Sequence, residues 1–361
     1  MLLFVLRRIG VMILTAIALT FIVFYMTNLP PNLEKLAKSE ASVRMADDAV
    51  ASWLERNGYG GSVFVRYGEW LGVMPGWTLT DEDGTIRGRC IESEQDPAAA
   101  ARYCGILQGN WGFSTVFKQP VTEVLARSLG ATGWLMLWVM IVMVPASLLL
   151  GVLSGMREGS RTDRILSTVA ITTTATPEYV SGVILIALLA SATAGVSPIL
   201  AEAGWIEGKT LFPGTATSAM DNITFWNFFL PVMTIALYGI GYIARMTRAS
   251  MTEVMTQQYI RTARLKGVGF REVVMRHALR NALIAPFTVI MLQFPWLLNG
   301  VVIVETLFNY KGFGWTLVQA AGNNDIDTLL ACSVVAVFVV LVTQLISDIG
   351  YVFLNPRIRL A

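Results

Sequence analysis

Histidine occurs once in the 361 residues, at His277, and cysteine three times, at Cys90, Cys104 and Cys332. There is no C-x-x-C and no H-x-x-x-H, so no recurring metal motif is present and no metal site is expected. No G-x-x-x-x-G-K-[ST] occurs, so the chain carries no phosphate-cradling loop and is not expected to bind ATP itself. Charge is scarce as well. Asp, Glu, Lys and Arg make up 14% of the chain and the net charge is +2, which gives no global field for nucleic acid. Gly239-Ile240-Gly241 looks like half a dinucleotide fingerprint, but it sits inside an apolar run, where small residues serve helix packing.

The apolar residues, 54% of the chain, are too many for an ordinary soluble protein of this length and suit an all-α polytopic membrane protein. About 20 apolar residues cross a bilayer. Arg7 and Arg8 precede a run from Ile9 to Met26. A signal peptide also starts with bases, but this run is long and is followed by Thr-Asn-Leu-Pro-Pro with no small-x-small site, so it reads as a retained first helix. Further runs cover Ala131 to Gly155, Ile165 to Thr193, Phe228 to Arg245, Asn281 to Val304 and Thr328 to Leu354. Six transmembrane helices are therefore expected. Pro145 and Gly151 suggest a kink or close packing in the second run, and Pro177 a local break in the third. Fifteen Lys and Arg fall in the segments on one side, whereas the short loops on the other hold only Lys209 and Lys311. Basic loops stay in the cytoplasm, which puts both termini there.

The spans divide the chain into a first helix (1–29), an extracytoplasmic insertion (30–121), the remaining helices (122–354) and a cytoplasmic tail (355–361). The insertion holds ten basic and thirteen acidic residues when counted to Arg127. Asp81 to Gly84 reads as a turn and Ser42 to Arg56 as short helices. Cys90 and Cys104 lie fourteen apart in it, where an oxidising compartment allows a disulfide that would pin a helix between them; two unpaired thiols are the alternative. Glu178 sits about 20 Å from the cytoplasmic end of the third run at helical rise. A carboxylate there is too costly to face lipid, so it lines a translocation path or bonds a neighbouring helix. Phe308, Phe313 and Trp315 suit a membrane interface.

One stretch, Tyr259 to Pro286, carries six of the twelve Lys and Arg of the C-terminal half and overlaps a loop at 246–281. Arg261, Thr262, Ala263, Arg264, Leu265 and Lys266 are good helix formers as a group, Gly267 suits a left-handed helix end, and Phe270 to Asn281 has room for a second helix. On physics alone this is either a docking surface or a solvated juxtamembrane loop. The residues Tyr-Ile-Arg-Thr-Ala-Arg-x-Lys-Gly, followed by Arg276-His277-Ala278-Leu279-Arg280-Asn281, resemble the coupling loop, or EAA motif, of ABC importer permeases, closest to the dipeptide/oligopeptide/nickel branch. Gln258 stands where that branch often has Asp, Leu265 where it often has Ala, and Arg261 replaces the glutamate of the wider consensus. Gly109 to Ser114, Gly159-Ser160-x-x-Asp163 and the terminal Asn355-Pro356-Arg357 also fit the branch. So does Glu305-x-x-Phe308 followed by Gly312-x-Gly314, with Lys311 in a proline position.

The resemblance covers most of Leu2 to Arg359 except much of Pro30 to Cys104. It implies a type I ABC importer permease fold in a bacterial inner membrane. The partners would be a second permease subunit, two ABC ATPase subunits holding ATP and Mg, an extracytoplasmic solute-binding protein and membrane lipid, with no nucleic acid. The chain itself would be no enzyme. Tyr259, Arg261, Ala263, Arg264, Lys266, Gly267, Arg276, His277 and Asn281 would couple it to the ATPases, and Glu305, Phe308, Gly312 and Gly314 would form an outer gate. Simple interfacial anchoring is the other reading of that last segment. Peptides are the implied cargo; nickel chelates, oligosaccharides or opine-like solutes are alternatives within the branch. A membrane-anchored ligand sensor is the alternative of another class.

Overall fold

The first apolar run forms α1 (Leu2–Thr27), and its residues Leu6–Thr27 are long and apolar enough to cross a hydrocarbon layer. Thr15, Thr20 and Thr27 return their hydroxyls to carbonyls one turn back, which satisfies them within the helix. This computed structural model describes residues 2–41, 45–80, 84–91 and 96–354. The readings for Ser42–Arg44, Asp81–Asp83 and the terminal Asn-Pro-Arg fall outside the described residues.

Leu29 is extended and Pro30 opens α2 (Pro30–Glu40), a position where the missing N–H costs nothing. In α3 (Asp47–Arg56) two acids open the helix and Arg56 closes it, the order its dipole favours. The Ser62 hydroxyl caps α4 (Val63–Leu71). β1 (Thr78–Thr80) and β2 (Ile86–Gly88) then pair antiparallel with Leu79 opposite Arg87. Cys90 and Cys104 are joined, with Cα atoms 5.5 Å apart. The helix expected between them does not form among the described residues. Asp96 and Pro97 instead open a single 3₁₀ turn, Pro97–Ala99, and the backbone is extended again by Ala100.

α5 (Val121–Gly155) is 35 residues long, starts ahead of the expected run, and continues through Pro145. The third run is corrected more sharply. It begins at α6 (Arg161–Ala175), so the loop expected to reach Arg164 is shorter, and it breaks before α7 (Glu178–Leu189) with a bend of 108°. Thr176 is pushed to an extended conformation by the proline that follows, and Pro177 cannot supply the N–H that would continue the helix. The next segment, expected as loop, contains α8 (Val196–Glu202). A capping box of Thr224 and Asn227 opens α9 (Phe225–Met255). α10 (Gln258–Leu265) follows, then α11 (Phe270–Glu272), a π-helical turn at Val273–Ala278, and α12 (Leu279–Ala282). The chain closes with α13 (Ile284–Leu307), α14 (Phe313–Gly322) and α15 (Ile326–Leu354). The presumed loop from Glu305 to Asp327 is therefore largely helical.

Among the described residues, four helices are long and apolar enough to span a membrane: α1, α5, α9 and α15; the bent pair α6–α7 makes a fifth if it counts as one crossing. The expected fifth run falls on α13, which is 24 residues long and whose described residues include the apolar stretch Ile284–Gln293.

Two compact units result. One joins the residues up to Arg127 with Leu317–Phe338; the other joins Ser128–Thr316 with the residues from Val339 on. The first is cored by Phe24, Leu33, Leu36, Tyr67, Trp70, Ile326 and Leu330. The second is cored by Leu135, Val139 and Met143 of α5, Ile235 and Ile240 of α9, and Leu297 and Val301 of α13. The two glycines of the 239–241 pair serve this packing. A Cβ on Gly239 would stand 2.1 Å from the Met143 sulfur, and one on Gly241 2.5 Å from the Ala170 carbonyl oxygen.

Candidate functional site

In α10 the spacing of apolar and basic residues sets two faces. Ile260 and Ala263, three apart, are buried against Met251, Val273, Val274, Ala278 and Ala282. Arg261, Arg264, Leu265 and Lys266 are exposed, and Leu265 is 81% exposed although it is apolar. The helix ends with both bonds of a Schellman motif. The Gly267 N–H donates to the Arg264 carbonyl at 3.0 Å and the Val268 N–H to the Ala263 carbonyl at 3.2 Å. Gly267 has φ 78°, and no atom lies within 4 Å of where its Cβ would be, so the backbone and not lack of space calls for glycine.

The second arm of the loop holds this helix in place. The Asn281 side-chain amide donates to the Tyr259 hydroxyl at 2.9 Å. The guanidinium groups of Arg157 and Arg264 lie 5.1 Å and 5.9 Å from the Phe270 ring centroid. Arg276 pairs with Glu272 at 2.7 Å on the exposed side, and His277 is exposed beside it. The helix expected over Phe270 to Asn281 is interrupted by the π-helical turn that contains both Arg276 and His277. Thus eight of the nine candidate residues are exposed, and Ala263 faces inward into the core beneath α10.

Sequence reasoning missed the ion pair behind that surface. Arg248, two turns before the end of α9, donates from Nε and Nη2 to the two Asp163 carboxylate oxygens at 2.6 and 2.8 Å. Asp163 is buried and also accepts from Ser154, Ser167 and the Gly159 N–H. The signal was present in Gly159-Ser160-x-x-Asp163: Ser160 caps α6 by accepting from the Asp163 N–H at 3.1 Å, which turns the carboxylate toward α9. Nothing in the sequence pointed to Arg248 as its partner.

Glu178 is the first residue of α7, directly after the break, where a helix N-terminus favours a negative charge. It is half-buried, and a side chain at Gly300 of α13 would begin 3.6 Å from its Oε1. The four outer-gate candidates come together elsewhere. Glu305 is fully buried; the Thr132 hydroxyl donates to its Oε1 and the Trp315 N–H to its Oε2 at 3.0 Å. Gly312 lies against that carboxylate, and a Cβ there would stand 2.1 Å from Oε1. A Cβ on Gly314 would meet Val302 at 2.5 Å. Phe308 is fully buried and its carbonyl accepts from the Ala216 N–H at 2.7 Å. Phe313 is buried as well, so the expectation that Phe308 and Phe313 lie at a membrane interface is corrected; Trp315 is half-buried. Among the described residues no three His, Cys, Asp or Glu gather in a metal-holding group.

Comparison with known proteins bears on what these residues serve. A family model described as the binding-protein-dependent transport system inner membrane component matches residues 147–360. A Sinorhizobium fredii protein named "Probable peptide ABC transporter permease protein y4tP" is 31% identical over 296 residues, covering 81% of this chain and 90% of its own. The glutathione transport system permease protein of Pectobacterium atrosepticum is 33% identical over 254 residues, covering 70% of this chain and 76% of its own. A crystal structure of an amino acid ABC transporter with histidines aligns with a TM-score of 0.47 at 14% identity, over 64% of this chain and 94% of that one.

Proposed function

This chain belongs to the family of binding-protein-dependent transport system inner membrane components, and from that premise we propose that it forms part of the path by which a bacterial ABC importer carries peptides across the inner membrane. Two relatives named for peptide and glutathione transport support that cargo. In this reading the chain crosses six times with both termini in the cytoplasm and pairs with a second permease. An external binding protein delivers the solute. Two ATPase subunits, which hold ATP and Mg, do the hydrolysis, and this chain performs no covalent chemistry.

The observation that carries the coupling role is α10. Its apolar side is built into a small core while its basic side and Leu265 are left bare. Three bases gathered on one bare helix face suit an acidic cleft on another protein. Closure of the ATPases would push α10, and the core beneath it would pass that push to α9 and the π-helical turn without local yielding. The Asp163–Arg248 pair would carry it to α6. Such a rearrangement is two-state and is driven by the different contacts the ATPases make in each state. Glu178, at the break of the bent pair, is the proposed path residue. Glu305, Phe308, Gly312 and Gly314 form the proposed outer gate segment.

Co-purification tests the docking reading. ATPase subunits should elute with the wild-type chain and be lost from a variant in which Arg261, Arg264 and Lys266 are all changed to Glu. Retention of the ATPases by that variant would move the dock elsewhere.

A further inference from the structure

α4 carries an apolar face that the protein leaves uncovered, and its contacts with α1 fix how deep that face lies. The Tyr67 hydroxyl reaches the Ile17 carbonyl at 3.1 Å and the Thr20 hydroxyl at 2.8 Å. Ile17 stands ten residues before the end of α1 at Thr27, about 15 Å along the helix axis. The apolar span Leu6–Thr27 has 22 residues, so this bond is made near its middle. Phe64 stacks on Phe21, ring centroids 5.2 Å apart, six residues or about 9 Å inside the same end. Phe24 packs on Tyr67 and Trp70 at 5.4 Å each.

The polar residues of α4 turn the other way. Arg66 donates to the Asn28 side-chain carbonyl at 3.0 Å, just past the end of the span, and both are buried. Phe64 and Val65 are 71% and 41% exposed. They extend an uncovered apolar face that α1 already presents at Leu14, Ile17, Ile22 and Tyr25. A helix so placed cannot stand in water above the bilayer while Tyr67 bonds the middle of a span. We propose that α4 lies in the membrane leaflet at the Asn28 end of α1, with Phe64 and Val65 against lipid acyl chains and Arg66 held at the polar boundary. The segment between the first and second spans is thereby not wholly aqueous: it sends an interfacial helix back into the lipid. This proposal rests on the reading of α1 as a membrane span and on nothing about cargo.

The test uses the full chain in liposomes with Cys332→Ala, the Cys90–Cys104 pair left intact, and one added cysteine carrying an environment-sensitive fluorophore. Phe64→Cys and Val65→Cys probe α4, Leu14→Cys reports α1, and Ser52→Cys reports an exposed site on the charged helix α3. Spin-labelled acyl chains should quench the label at 64, 65 and 14 several-fold more than at 52, and iodide should do the reverse. If 64 and 65 respond to iodide as 52 does while 14 responds to lipid, the proposal fails and the span stands. Insensitivity of 64 and 65 to both quenchers would mean that protein covers them and would equally overturn it. If 14 responds to iodide and not to lipid, the span reading and the proposal fall together. Because 64 and 65 are probed separately, a misfolded variant at one position leaves the other to decide.

Discussion

At Gly267 the backbone turns left-handed in open space, and this single conformation decides whether α10 stops where it does. A side chain there costs about 1–2 kcal/mol through contact with its own carbonyl oxygen, and a β-branched one suffers most. Gly267→Val should therefore unwind the last turn of α10 and uncouple ATP hydrolysis from transport. Gly267→Asn, whose side chain tolerates this region, should keep most of the coupling. Equal transport by the Val and wild-type proteins would refute a role for this helix end. Gly312 is the opposite case, since space and not φ excludes a side chain. Gly312→Ala would drive a methyl into the Glu305 carboxylate, and Thr132→Val would remove a donor from it. Losing a partner of a buried polar group costs about 1–3 kcal/mol, so either change should lower the thermal midpoint of the purified chain measurably. An unchanged midpoint in both would show that the carboxylate is not a structural anchor. Gly267 could be read from sequence because helix ends follow local rules. The burial of Phe308 and Phe313 could not, because it follows from Glu305 and Thr132 meeting across 173 residues.

Among the elements, proline placement was legible and its consequences were not. Pro177 marked a break, yet the bend of 108° depends on what α7 packs against, with Gly182 close to Thr234 and Leu307. Pro145 has no such effect and stays within a continuous helix. Pro97 shows the reverse failure: an alanine-rich interval read as helix, and a proline with an Asp cap reduced its described part to one 3₁₀ turn. The Asp163–Arg248 pair ties α6 to α9 just ahead of α10. Asp163 is buried while Arg248 is partly exposed, so Asp163→Asn, which weakens a charge-assisted bond, should cost about 1–3 kcal/mol and weaken ATPase coupling together with stability. Replacing both residues by apolar ones, as in Asp163→Leu with Arg248→Met, should restore much of the stability. If the double variant also regained full coupling, the pair would be structural only.

On the scale of the whole molecule, the membrane class was legible from composition, and the family from motifs spread between Gly109 and the C-terminal end. The number of crossings was less so, because the bent pair α6–α7 departs from the one-run, one-span rule that hydropathy assumes. The segment after α1 was legible only in pieces, a short helix up to Arg56 and the Cys90–Cys104 bridge, and its packing was not. Its helices are short, its charges are balanced, and its core borrows Ile326 and Leu330 from the far end of the chain. ATP-driven peptide uptake tests the central claim most directly. Liposomes would hold this chain with its second permease and both ATPases, the binding protein would be on the outer side, and a labelled peptide would be followed into the lumen. The account predicts accumulation that requires ATP, the binding protein and an intact Gly267. A fully assembled complex that accumulates no peptide with ATP, or that accumulates it equally well when this chain is left out, would contradict it.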